Sequence, residues 1–101
     1  MDILQTTIRS DDPAYRENRD HMQGHLETLK QRLATVKLGG GEEALKRHRS
    51  REKLTARDRI DRLVDPDSPF LEFSTLAAWD LYDNAAPAAG IITGVGRVQG
   101  R

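Results

Sequence analysis

The sequence predicts an α/β protein whose helices come first and whose opening β-strands come last. Three observations carry that prediction. Apolar residues recur at helical spacing from Tyr15 to Val36. Residues 42–52, "EEALKRHRSRE", are good helix formers with acids ahead of bases, the order a helix dipole favours. The runs "FLEFSTL" and "IITGVGRV", rich in aromatic and β-branched residues, occur only after Pro69.

A chain of 101 residues suits one small domain, near the lower end of what buries a self-sufficient core. A formal net charge of zero excludes a wholly nucleic-acid-coating protein, so any basic function must be local. Cysteine is absent, which excludes disulfides and thiolate metal sites and fits a reducing compartment. No run approaches the ~20 apolar residues of a membrane span. The start, "MDILQTTIRS", carries Asp2 and has neither a long apolar run nor Arg-rich amphipathicity, so a cytoplasmic, bacterial-type location is expected.

Residues 1–11 show no period and are expected to form a flexible arm. A long amphipathic helix is expected over 12–38. Asp12 can cap its free amides, and Pro13 suits the first helical position. Tyr15, Met22, Leu29 and Val36 recur every seven residues, with Leu26 and Leu33 between them. The stripe is too short for an independent coiled coil and predicts a helix laid on a larger body. Gly39, Gly40 and Gly41 end it. The second helix offers almost no apolar face. A third begins at Thr55, with Asp58 placed to complete a capping box and Ile60, Leu63 and Val64 as its buried face. Asp65-Pro66 ends it, and Asp67-Ser68-Pro69 turns the chain into the first strand. "WDLYDNAAPAAG" reads as an ordered loop with aromatic anchors. "IITGVGRV" is a strand followed by the turn pair Gln99-Gly100, and an edge of this kind wants a return strand. The chain is therefore expected to be the amino-terminal piece of a longer protein.

Between Lys46 and Arg62 stand eight Lys or Arg residues against Glu52, Asp58 and Asp61. Such a segment is either a solvated helix surface with i,i+4 ion pairs or a polyanion site. Arg47, Arg51 and Lys53 could converge near the start of the third helix, where free amides also attract phosphate. No aromatic residues interleave the bases, so a small phosphate-bearing ligand fits at least as well as nucleic acid. His21 and His25 share a helical face at a spacing that can hold a metal. The glutamate of a zinc-protease helix is missing and no third ligand is evident, so they read as a surface pair and no metal is assigned. Gly94-Val95-Gly96 lacks a correctly spaced third glycine and a following helix, and reads as glycines in a strand. Asp80 and Asp83, beside Asn84, read as turn formers.

The motifs "GGGEEALKRH", "KLTARDRIDRLVDP" and "GIITGVGRVQG", in this order within residues 39–101, strongly resemble the start of the carboxyltransferase (beta) subunit of biotin-dependent acyl-CoA carboxylases. "DPDSPFLEFS" and "LYDN" look most like the 3-methylcrotonyl-CoA branch, with propionyl-CoA and acetyl-CoA types next. The resemblance implies an α/β fold of crotonase-like (ClpP-type) architecture, of which residues 39–101 would be the incomplete beginning. It implies transfer of CO2 from carboxybiotin to an acyl-CoA in leucine degradation, and a biotin carboxylase/biotin carrier alpha subunit as partner. It further implies homo-oligomeric beta subunits and no role for nucleic acid or membrane. The amides that stabilise the thioester enolate would lie beyond Arg101, so no catalytic residue is placed in this chain, and the chain alone is expected to be inactive.

For the basic stretch the resemblance suggests the phosphates of coenzyme A, with Arg47, Arg51, Lys53 and Arg57 as the binding cations. The sequence departs from the family pattern at three places. Glu52 stands where "RGKLT" is common, Asp67 where "DPG" is frequent, and Ala88-Ala89 where glycines often precede "GIITG". Glu52 puts an acid inside the suggested phosphate site and weakens it. The competing reading is a freestanding helical adaptor whose basic segment binds nucleic acid or an acidic protein.

Overall fold

The computed structural model describes residues 1–101, which divide into two compact units, Met1–Gln31 and Arg32–Arg101. Helix α1 (Pro13–Val36) supplies most of the first unit, and its last residues belong to the second. It begins as the sequence dictates: the Asp12 carboxylate accepts from the Ala14 amide at 2.8 Å. Along its stripe Tyr15, Met22, Leu26 and Leu29 are exposed, and Val36 is buried.

In the second unit, Gly39 and Gly41 take positive φ and turn the chain between α1 and α2 (Glu42–Ser50). A short loop leads to α3 (Ala56–Leu63), followed by strand β1 (Phe70–Phe73), a single 3-10 turn at Tyr82–Asn84 and strand β2 (Thr93–Gly96). The strands form one antiparallel ribbon, with Phe70 opposite Gly96 and Phe73 opposite Thr93. Gly94 and Gly96 are required there by the Phe70 ring. A Cβ on Gly94 would collide with the Leu71 carbonyl and come within 2.5 Å of Phe70 Cζ, and one on Gly96 would come within 2.9 Å of Val64.

Val36 and Ala78 are the buried hydrophobic residues, and Pro87, bonded to Ala78, is buried as well. The face expected of α3 is only partly covered: Ile60 and Val64 are half-buried, whereas Leu63 is exposed. Leu71, Phe73 and Val95 also face solvent. In the loop between the strands, Ala78 N–H donates to the Pro87 carbonyl at 2.9 Å, and Arg32 stacks 5.1 Å above the Trp79 ring. Trp79 is thus an anchor as expected, but Tyr82 is not, since its side chain lies in solvent. Val98 and Arg101 exchange hydrogen bonds of 2.8 and 3.1 Å around Gln99 and Gly100, both at positive φ, the geometry of a two-residue hairpin turn.

Candidate functional site

The basic segment folds as two helix ends joined by a tight turn. Helix α2 stops in a left-handed C-terminal motif: the Glu52 amide donates to the Arg49 carbonyl at 2.9 Å and the Lys53 amide to the His48 carbonyl at 3.4 Å. Glu52 itself has φ 56°. His48 donates from Nε2 to the Leu54 carbonyl at 2.8 Å, tying the end of α2 across the turn. Helix α3 then opens on a complete capping box, with Thr55 Oγ1 accepting from the Asp58 amide and Asp58 Oδ2 accepting from the Thr55 amide, each at 3.1 Å. The hydrogen bond from Thr55, followed by the cations of Arg49 and Arg62, holds the Asp58 carboxyl below its ordinary range.

Three recesses border this segment, the third, of about 260 Å³, lying between Lys37, Arg57, Ile60, Asp61 and Phe70. The first, of about 280 Å³, has an apolar floor that includes Val36, Leu45, Ile91 and Ile92, with Lys37, Arg49 and Arg57 also lining it. The second, about 460 Å³ and shallower, is lined by Arg49, Lys53 and Arg62 against Glu52, Asp58 and Asp61. The four cations singled out from the sequence are not gathered at one place. Arg57 lines the apolar recess and the third, Lys53 the polar one, and Arg47 and Arg51 line none of them.

Their electrostatic states also differ. Arg57 clasps Glu72 of β1 through two hydrogen bonds of 2.9 and 3.0 Å, with both side chains mostly buried. Arg47, Arg51 and Lys53 are exposed and form no ion pair. Arg49 lines the apolar and the polar recess and lies 4.0 Å from Asp58. Arg49 does not stand out in the sequence, where a count of charges ranks every cation in the window alike. Lys37, which also lines the apolar recess, precedes the glycines and so lies outside the basic window.

A second polar cluster forms around Asp65. Its carboxylate accepts from the amides of Gln99 (2.6 Å) and Gly100 (2.9 Å) and from Arg97 Nε (3.0 Å), while its own amide donates to the Arg97 carbonyl at 2.8 Å. One side chain thereby fixes the turn after β2 against the end of α3. Asp80 and Asp83 are turn residues: both have positive φ, and the Asp80 amide donates to Asn84 Oδ1.

Residues 47–101 match the family described as the carboxyl transferase domain. The chain is 48% identical over 99 residues to the Arabidopsis thaliana protein named methylcrotonoyl-CoA carboxylase beta chain, mitochondrial, covering 98% of this chain and 17% of that one. It is 59% identical over 73 residues to the Mycobacterium tuberculosis protein named biotin-dependent 3-methylcrotonyl-coenzyme A carboxylase beta1 subunit, covering 72% and 14%. Among solved structures it is similar to transcarboxylase 12S, described as a hexamer with methylmalonyl-coenzyme A and methylmalonic acid bound. The TM-score is 0.68 and the identity 35%, over 79% of this chain and 16% of that one. That neighbour is crotonase-like, and helices followed by a two-stranded sheet fit the beginning of such a fold. The chain spans 14–17% of the length of these relatives.

Proposed function

The chain belongs to the carboxyl transferase domain family, and on that premise we propose that it forms the amino-terminal part of the beta subunit of a biotin-dependent acyl-CoA carboxylase acting on 3-methylcrotonyl-CoA. The observation that carries this reading is the identity to two beta chains named for that substrate, both higher than the identity to transcarboxylase 12S. The exposed apolar side chains of Leu71, Phe73 and Val95 support it as well, since a larger body would cover them.

In this reading carboxybiotin, carried by an alpha subunit, supplies the CO2, and beta subunits assemble with one another. The proposed compartment is the cytoplasm of a bacterial cell, supported by the identity to the mycobacterial subunit. The present residues do not perform the chemistry; they bind and position. Arg47, Arg51 and Lys53, exposed and outside any ion pair, are proposed to meet the phosphates of coenzyme A as mobile cations. Arg57 joins them only by leaving Glu72, and its proposed part is to hold α3 against β1 behind them. The left-handed end of α2 and the His48–Leu54 hydrogen bond brace the turn that carries Arg51 and Lys53.

The test is carboxylation by the longer gene product with its biotin-carrying partner, ATP and labelled bicarbonate. The reading predicts a kcat/KM for 3-methylcrotonyl-CoA well above those for propionyl-CoA and acetyl-CoA. A preference for either of the latter would reassign the substrate, and no incorporation with any of the three would overturn the reading.

A further inference from the structure

The proposed function assigns no role to His21 and His25, one helical turn apart on α1. Their Nε2 atoms lie 3.0 Å from each other, and the two rings are perpendicular with centroids 4.5 Å apart. Nitrogens this close either share a hydrogen or share a ligand. A head-on N–H···N bond of this length would set the centroids about 5.3 Å apart, because each ring centre lies about 1.1 Å behind its nitrogen. The smaller separation means that the two ring axes are not collinear, so the pair is not a head-on hydrogen bond.

An ion shared by the two nitrogens at this spacing, held by bonds of about 2.0–2.1 Å, would see them at an angle of roughly 91–97°. A tetrahedral centre with the same bonds would need the nitrogens about 3.4 Å apart. The observed spacing therefore fits the cis positions of a square-planar or octahedral ion, the geometry of Cu2+ and Ni2+ with imidazole donors. Both histidines are exposed, and Gly24 leaves open space on the flank between them. No further His, Cys, Asp or Glu groups with them, so water would complete the shell.

We propose that His21 and His25 form a two-imidazole site on α1 for a divalent ion of the copper–nickel class, independent of carboxyl transfer. Formation of the chelate would clip one turn of the helix and raise its helicity.

The experiment titrates the full chain with Ni2+ alone in a non-coordinating buffer, followed by calorimetry and circular dichroism. One ion should bind per chain with a gain in helical signal. The variant Q23H/H25Q keeps three histidines but moves the second imidazole off the row, and its affinity should fall at least tenfold. H48Q should leave binding unchanged, since His48 is held by the Leu54 carbonyl. Cu2+ should bind more tightly than Ni2+, and Zn2+ no more tightly than Cu2+. The proposal is overturned if Q23H/H25Q binds within twofold of the parent, if H48Q abolishes binding, or if no saturable Ni2+ uptake occurs.

Discussion

Glu52 closes helix α2 in a conformation that suits glycine, and replacing it should stabilise the protein. Its φ of 56° costs an ordinary L-residue about 1–2 kcal/mol relative to right-handed geometry. Glycine avoids that cost but loses about 0.5–1 kcal/mol more chain entropy on folding. The net gain for Glu52→Gly is therefore about 0–1.5 kcal/mol, centred near 0.75 kcal/mol. With a urea slope near 1 kcal/mol/M for a chain this small, the midpoint should rise by roughly 0.75 M. Charge acts in the opposite direction: Glu52 shares its recess with Arg49, Lys53 and Arg62, so Glu52→Gln should give no gain. Ala89, at φ 57°, should respond like Glu52, whereas Asp67, at φ 58°, should change little because aspartate visits this region readily. Urea unfolding of the three single glycine variants, followed by circular dichroism, makes the comparison. A lower midpoint for Glu52→Gly, or an equal rise for Glu52→Gln, would refute the backbone argument.

Truncating Arg57 or Glu72 to alanine should destabilise the second unit by about 1–3 kcal/mol, and a double-mutant cycle should show that the two losses do not add. Gly94→Ala should cost about 1–3 kcal/mol by forcing Phe70 and the Leu71 carbonyl apart, despite the better strand propensity of alanine; an unchanged urea midpoint would contradict this. Thr55→Ala should cost about 1 kcal/mol through loss of the cap. Because the folded Asp58 pKa lies below its unfolded value, ionised Asp58 contributes stability above the unfolded pKa, and that contribution is lost as pH falls through the folded pKa. In Thr55→Ala the Asp58 titration, followed by carboxyl NMR, should move up towards the ordinary carboxylate range.

Much of the second unit is legible in the sequence because its signals are local. Thr55 and Asp58 form a capping box whatever surrounds them, and Gln99-Gly100 makes its turn from two residues able to take positive φ. At the departures from the family's glycines, Glu52, Asp67 and Ala89 are left-handed in the structure and Ala88 is not, so at those three positions the family pattern marks backbone geometry. What could not be read depends on neighbours distant in the chain. Arg57 and Glu72 stand fifteen residues apart, and nothing in a count of charges pairs them. The role of Asp65 as acceptor for Gln99 and Gly100 spans the whole β-ribbon. Leu63 looked like core by its spacing on α3 but is exposed, because periodicity shows which face is apolar and not what lies against it.

In the proposed reading this chain forms the entrance to a methylcrotonyl-CoA carboxyltransferase. A chimera tests it most directly: residues 1–101 replace the aligned segment of the mycobacterial beta1 subunit, and the hybrid is assayed with its biotin-carrying partner. Retention of 3-methylcrotonyl-CoA carboxylation within about tenfold of the parent kcat/KM is the predicted result. A hybrid that folds and assembles like the parent but carboxylates no acyl-CoA would contradict it.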